Sequence, residues 1–340
     1  MSDGSPAPTP LLEIKNLFTH FDTPRGTARA VDGVSLRLDY GKTLGIVGES
    51  GSGKSVLSRT IIDILAKDGS VLHEGKILFE GRNLWELPER EMREIRGRDI
   101  AMVFQDPMSS LNPVKKIGNQ ITEVLRKRLG MSRLAANLRA AELIESFGIP
   151  DPEQQLSRYP MHLSGGMRQR VAIAIAMACE PKLMIADEPT TALDVTIQAQ
   201  ILDLIRRQQQ ERNMAVILIT HNLGIVKDYT DDVAVMYAGK IVENCATEEL
   251  ISNPKMPYTE ALIKSAPSLA DPPHTRLEAI PGLPPNLLNV PDGCRFHERC
   301  GYVQDKCRSD MPSLSGDSGH TCRCWYPLDR ANDLQEGAPA

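Results

Sequence analysis

Four short unbroken apolar runs, Leu44–Val47, Ile100–Phe104, Leu183–Ala186 and Val216–Ile219, punctuate the first two thirds of the chain. Runs of that length, bounded by glycine or polar residues, predict strands buried on both faces, as in a parallel sheet covered by helices. Leu12–Leu17, Ala30–Leu38 and Lys76–Glu80 mix apolar and polar positions and predict further strands, while Val233–Glu243 predicts a hairpin turning at Ala238-Gly239. Helical spacing is clearest at Ile197, Ile201, Leu204 and Ile205, with charged Arg206 and Arg207 following. Residues from about 117 to 178 predict a mostly helical region, broken at Gly148-Ile149-Pro150 and Tyr159-Pro160. Parallel strands at the centre, an antiparallel β flank and an inserted helical subdomain make an α/β fold.

The pattern changes near residue 250. Of 24 prolines, 12 fall in residues 254–340, where they remove backbone donors and break regular elements. The expected organisation is a disordered leader at 1–10 and a domain over 11–253 with its helical part at about 106–180. A Pro-rich extension over 254–330 and a disordered tail at 331–340 follow. The extension is expected to be turns and extended segments held down by something other than a large core. The leader has no basic patch followed by an apolar core, so it is not expected to be a secretory signal. The longest apolar stretch, Val171–Cys179, has nine residues against the ~20 of a spanning helix. A formal net charge of −5 over 340 residues disfavours bulk nucleic-acid binding.

Gly48-Glu49-Ser50-Gly51-Ser52-Gly53-Lys54-Ser55 matches G-x-x-x-x-G-K-[ST] at every fixed position, between an apolar strand and a helical stretch. Gly48, Ser50, Gly51 and Gly53 belong to a loop whose backbone N–H groups can cradle phosphates, with Lys54 on the β- and γ-phosphates and Ser55 on Mg²⁺. Leu183–Ala186 runs into Asp187 and Glu188, adjacent carboxylates at a strand end: Asp187 for Mg²⁺, Glu188 to activate the attacking water. Leu163-Ser164-Gly165-Gly166-Met167-Arg168-Gln169-Arg170, with its Ser164 24 residues before Glu188, resembles the signature motif of the ATP-binding cassette (ABC) ATPases.

That resemblance implies a P-loop ABC ATPase core that binds ATP and Mg²⁺. Its implied roles follow the motif order. Ser164, Gly165 and Gly166 face a γ-phosphate held by a second ATPase subunit, and the Ala192-Leu193-Asp194 loop touches that opposite site through Asp194. Gln105 senses the metal and links to a membrane partner. His221 contacts the γ-phosphate, and Phe21, 27 residues before Gly48, stacks on adenine. Phe at 21 and Asn222 after the histidine depart from the commoner Tyr and Asp, and neither removes a catalytic group. Gln105-Asp106-Pro107-Met108-Ser109-Ser110-Leu111-Asn112-Pro113, Pro257-Tyr258-Thr259, Ala266-Pro267, Ile280-Pro281-Gly282 and Pro291-Asp292-Gly293-Cys294-Arg295-Phe296 narrow the resemblance to oligopeptide/dipeptide importer ATPases, a group including nickel- and glutathione-type importers. It covers roughly residues 11–327.

The implied function is ATP-driven import of peptides at the cytoplasmic face of the inner membrane, peripherally bound, with nickel, glutathione or another small solute as alternatives. Implied partners are two membrane permease subunits, a different ATPase chain forming a heterodimer (a homodimer being the alternative) and an external solute-binding protein. The stretch from Met108 to Ile117 is the expected grip on the permeases, testable by a charge at Met108 or Leu111. A soluble ABC ATPase acting on nucleic acid is the distant alternative, disfavoured by the acidic balance and the single cassette. Five of seven cysteines crowd into 31 residues as Cys294-x₅-Cys300-x₆-Cys307-x₁₄-Cys322-x-Cys324. Four thiolates can hold Zn²⁺ or a [4Fe–4S] cluster. No C-x₂₋₄-C pair is present, and some members of the importer group carry the cluster here. The expectation is [4Fe–4S] on Cys294, Cys300, Cys307 and Cys322, with Cys324 as substitute. Zn²⁺, free thiols or a disulfide stay open, and a redox active centre has no support.

Overall fold

Among the described residues there are twelve strands, most of them where the apolar runs and alternating segments lie. They are β1 (Leu12–Thr23), β2 (Gly26–Leu38), β3 (Thr43–Val47), β4 (Val71–Phe79), β5 (Arg82–Asn83), β6 (Ile100–Val103), β7 (Leu183–Asp187) and β8 (Ala215–Thr220), then β9 (Asp232–Tyr237), β10 (Lys240–Ala246), β11 (Ser315–Asp317) and β12 (His320–Cys322). The structure is a computed structural model that describes residues 9–106, 110–191, 193–265, 279–317 and 319–329. Residues 1–8 of the leader expected over 1–10 and the tail over 331–340 lie outside the described residues, as do Pro107, Met108, Ser109, Ala192 and Ala266-Pro267.

The chain forms two compact units: residues up to 11, 38–42 and 83–219 in one, and 12–37, 43–82 and 220 onward in the other. In the first, helix-rich unit, β6, β7 and β8 pair in parallel, with Ile100 opposite Leu183 and Leu183 opposite Ala215. Every residue of β7 and β8 is buried, which their unbroken apolar sequences require of a sheet covered on both faces. The predicted helical region resolves into helices Ile117–Leu129, Arg133–Ser146, Pro152–Ser157 and Gly165–Met177. Ile117, Ile121 and Leu125 form the buried stripe of the first, which stops at Gly130 in the left-handed region with φ 65°. Ser132 caps the second by accepting from Ala135 N at 3.2 Å, and Pro152 opens the third.

The second unit holds the phosphate loop. Here β1 lies between β2 and β4, antiparallel to β4 with Leu12 opposite Phe79 and an irregularity between Lys15 and Phe18. β3 pairs in parallel with β9, and β9 and β10 form the expected hairpin. Its turn residues Ala238 and Gly239 both have positive φ, at 45° and 85°; a Cβ on Gly239 would meet Arg29 O at 2.6 Å. β1 and β4 extend well beyond their apolar segments, because backbone pairing continues where the side chains are half-exposed.

The extension departs furthest from expectation. β12 pairs with β10, Cys322 opposite Glu243, and β11 pairs with β12, so the Pro-rich segment adds two strands to the sheet. Met256, Tyr258, Leu262 and Phe296 join Val47, Val233, Val235 and Tyr237 in one apolar core. The boundary expected at residue 253 therefore does not separate compact units. Polar anchors complete the attachment. Fully buried Glu243 accepts from Lys255 N (2.6 Å), Met256 N (3.2 Å) and the His320 ring (2.7 Å between Oε1 and Nε2). Buried Arg295 bonds Ala238 O and the Asp32 carboxylate, beside Lys240 Nζ at 3.2 Å. Burial alone would push the Asp32 carboxyl up, but those two cations hold it below the usual carboxylate range.

Candidate functional site

The phosphate loop follows β3, whose five buried residues fix its entry. Gly48 (φ 152°) and Gly53 (φ 108°) are obligatory glycines: a Cβ would stand 2.1 Å from Met236 O at the first and 2.1 Å from Ala30 O at the second. Gly51 (φ 78°) has nothing within 4 Å of its Cβ position and faces open space. The helix Lys54–Ile61 begins at Gly53 without a side-chain cap, so its first N–H groups remain available to an anion. Buried Lys54 donates from Nζ to Gly48 O (2.7 Å), Glu49 O (2.9 Å) and Ser52 Oγ (3.5 Å), which folds its cation back over the loop. Ser50 is exposed and Ser55 half-buried at the mouth of this helix. Phe21 is half-buried near the end of β1, opposite Val71. His221 is exposed directly after β8. Asn222, where an aspartate was the commoner expectation, caps the helix Leu223–Tyr229 through Oδ1 to Gly224 N at 2.9 Å, so the amide keeps the cap.

The acidic strand end and the signature motif lie in the helix-rich unit. Asp187 is buried at the end of β7. Glu188 follows with φ 48°, and its N–H donates to Ile219 O at 2.9 Å. Its Oε2 accepts from Gln105 Nε2 and from Thr191 Oγ1, both at 2.9 Å. Gln105 reaches it from the end of β6, the strand paired with β7, so two residues 83 apart in sequence share one contact. Ser164 caps the helix Gly165–Met177, its Oγ accepting from Met167 N at 3.3 Å. A Cβ on Gly166 would lie 2.9 Å from Ile197 Cγ2, so the signature helix packs tightly on the helix Val195–Arg212. Asp194 caps that second helix through Oδ1 to Ile197 N at 2.9 Å. Sequence reasoning missed Thr191 and buried Gln169, which donates from Nε2 to Pro189 O at 2.5 Å. A hydroxyl three residues after a strand-end glutamate was the available signal for the first.

The cysteines divide differently from expectation. Cys294, Cys300, Cys307 and Cys324 line one small cavity. Cys322 does not line it: as the last residue of β12, opposite Glu243, it is buried in the core, whereas Cys324, beyond the strand end, is the fourth thiol of the cavity. Four soft donors suit zinc or an iron–sulfur cluster, but among the described residues no three His, Cys, Asp or Glu side chains stand close enough together to hold a metal ion. Burial pushes the Cys294 thiol up to about 11 and that of Cys324 to about 12, and raises Cys300 and Cys322 as well.

Comparison with known proteins places these features. Residues 31–191 match the ABC transporter family and residues 242–307 the oligopeptide/dipeptide transporter C-terminal region. The oligopeptide transport ATP-binding protein OppD of Bacillus subtilis is 49% identical over 93% of this chain and 89% of its own length. The dipeptide transport ATP-binding protein DppD of Escherichia coli is 45% identical over 94% and 98%. Among solved structures, the dimeric form of MJ0796, a bacterial ABC transporter cassette, is similar with a TM-score of 0.62 at 26% identity. It covers 69% of this chain and 98% of its own. A post-hydrolysis state of the same cassette bound to ADP and Pi matches equally well. With a similarity that runs through both the cassette and the extension, the chain belongs to the ABC transporter ATPases, in the group that carries the oligopeptide/dipeptide transporter C-terminal region.

Proposed function

We propose that this chain is the ATP-hydrolysing subunit of a peptide importer, held peripherally at the cytoplasmic face of the inner membrane by two permease subunits. The observation that carries this reading is the near-full-length similarity to oligopeptide and dipeptide transport ATP-binding proteins, extension included. Among the described residues no helix is long and apolar enough to cross a membrane, so the transported solute needs other chains for its path.

In the proposed cycle, the open face of the Gly48–Ser55 loop and the uncapped helix start receive the ATP phosphates. Lys54 exchanges its loop carbonyls for phosphate oxygens. Phe21 stacks on the adenine, and Ser55 and Asp187 would supply the hard oxygen donors that Mg²⁺ prefers. Bound Mg²⁺ would neutralise charge on the phosphates. Glu188 takes the proton of the attacking water, oriented by Gln105 and Thr191, and His221 donates to the γ-phosphate. Ser164, Gly165, Gly166 and Asp194 close on the site of a second ATPase subunit, a different chain in our reading. A cavity of about 480 Å³ lined by Val103, Phe104, Ser110, Leu111, Val124 and Ile175 is the proposed permease seat. A solute-binding protein outside the membrane would complete the importer.

The test is reconstitution with its permeases in proteoliposomes. Uptake of a labelled di- or oligopeptide that requires ATP supports the reading; uptake of nickel or glutathione instead supports the alternative solutes. ATP turnover stimulated by nucleic acid, with no solute uptake, would reject it.

For the extension we infer a [4Fe–4S] cluster, with Zn²⁺ as the alternative, on Cys294, Cys300, Cys307 and Cys324, which line one cavity and would have to draw closer together than the structure places them to share a metal. Burial raises the Cys294, Cys300 and Cys324 thiols, so metal binding there would release protons and would strengthen as pH rises. Anaerobic protein should be brown, with about four irons per chain, and Cys324→Ser should bleach it whereas Cys322→Ser should not. Colourless protein from an iron-replete anaerobic preparation would refute the cluster.

A further inference from the structure

Glu49, the first variable residue of the phosphate loop, is gripped at three points. Its carbonyl accepts from Lys54 Nζ at 2.9 Å, and its N–H donates to Tyr258 Oη at 2.9 Å. Its carboxylate takes a two-pronged bond from Arg299, Nη1 to Oε2 at 2.6 Å and Nη2 to Oε1 at 2.9 Å. Arg299 and Tyr258 both come from the extension, within the unit that holds the loop. Neither is loosely placed. The Arg299 side chain is 4% exposed, with Nε on Pro281 O at 2.7 Å and Nη1 on Tyr237 Oη at 3.2 Å. Its guanidinium lies 5.8 Å from the Tyr237 ring centroid. Tyr258 is fully buried, with its ring 4.4 Å from that of Tyr237 and 5.3 Å from that of Phe296.

The chemistry of the pairing matters more than its strength. A carboxylate in a loop built to receive phosphates opposes its ligand, and the opposition grows with phosphate charge. A fork from Arg neutralises that carboxylate and fixes its direction, as a Lys ammonium would do less well. Tyr258 meanwhile takes up the Glu49 N–H from the side of the extension.

We propose that Arg299 and Tyr258 are positioning residues for nucleotide binding: the extension latches the phosphate loop from behind and masks the Glu49 charge that would otherwise repel ATP. This deepens the ATP-site reading and rests on it. The latch explains why an extension so far along the chain shares a compact unit with the loop.

The test is nucleotide affinity of the full chain, titrated with MgATP and MgADP at low and high salt. Arg299→Met should weaken MgATP about five- to tenfold and MgADP less, with the defect shrinking as salt screens it. Arg299→Lys should recover part of the affinity. Adding Glu49→Gln to Arg299→Met should restore MgATP binding to within about twofold, because the unmasked charge is gone. Tyr258→Phe, which keeps the ring, should cost about two- to threefold with no salt dependence. If Glu49→Gln fails to restore the double variant, or Arg299→Met binds both nucleotides as the parent does, the latch is wrong and Arg299 merely supports the fold. The ATP-site reading fails separately: Lys54→Ala binding MgATP like the parent would remove the nucleotide from this loop, and the latch with it.

Discussion

Glu188 shows how much a single position can carry. A glutamate at φ 48° occupies the left-handed region at a cost of order 1 kcal/mol or more, which the chain holds in place by the Glu188 N–H bond to Ile219 O. That backbone conformation turns the side chain off the strand axis to meet Gln105 and Thr191. Glu188→Gln should therefore leave MgATP binding intact and lower turnover by about 10²-fold or more, since the amide cannot accept a proton. Wild-type turnover by an assembled transporter whose other ATP site is also disabled would exclude Glu188 as the base. Lys54→Ala should act on the other quantity. Its ammonium is the buried cation of the loop, so losing it should raise the nucleotide dissociation constant by at least about tenfold, read by direct titration.

At the scale of elements, the unbroken apolar runs were fully legible: β3, β6, β7 and β8 stand within a residue or two of the predicted segments. The hairpin turn at Ala238-Gly239 was legible for the same local reason, as were the motif residues that begin helices. What was not legible depends on contacts distant in sequence. β12 is three residues long and polar at two of them, and it exists because β10 offers an edge; Glu49 with Arg299 joins positions 250 apart. Cys322 and Cys324 are two residues apart, and the choice between them needed to know that β12 pairs on β10 and ends at Cys322. The segment after Gln105 shows the same limit. Met108 lies outside the described residues, and Leu111 is 3% exposed, so a charge at Leu111 would disturb the core before it tested any partner. Val114, 80% exposed, is the better probe. Val114→Asp should reduce co-purification with the permeases or uncouple uptake from hydrolysis, with nucleotide affinity unchanged. Unaltered uptake and co-purification would move the permease contact elsewhere.

For the whole molecule, the consequential departure is that the extension and the phosphate loop fold as one compact unit. Composition suggested turns and extended segments held down by something other than a large core, because prolines crowd into the chain from residue 254 onward. The structure instead commits Met256, Tyr258, Leu262 and Phe296 to the core that also contains Val47, the last residue before the loop. Each such side chain contributes about 1.5–3 kcal/mol when buried, so four of them rival the ~5–15 kcal/mol by which a whole domain is stable. Deletion would also leave Glu243 buried without its partners Lys255 N, Met256 N and His320, and an unpartnered buried carboxylate destabilises further. With β12 gone, the edge of β10 is open to pairing with other chains. A chain ending at residue 253 should accordingly aggregate or melt at least about 10 °C lower than the full chain, and should lose measurable MgATP binding. A soluble truncated chain that melts cooperatively within a few degrees of the parent and binds MgATP with parental affinity would show that the cassette folds without its extension.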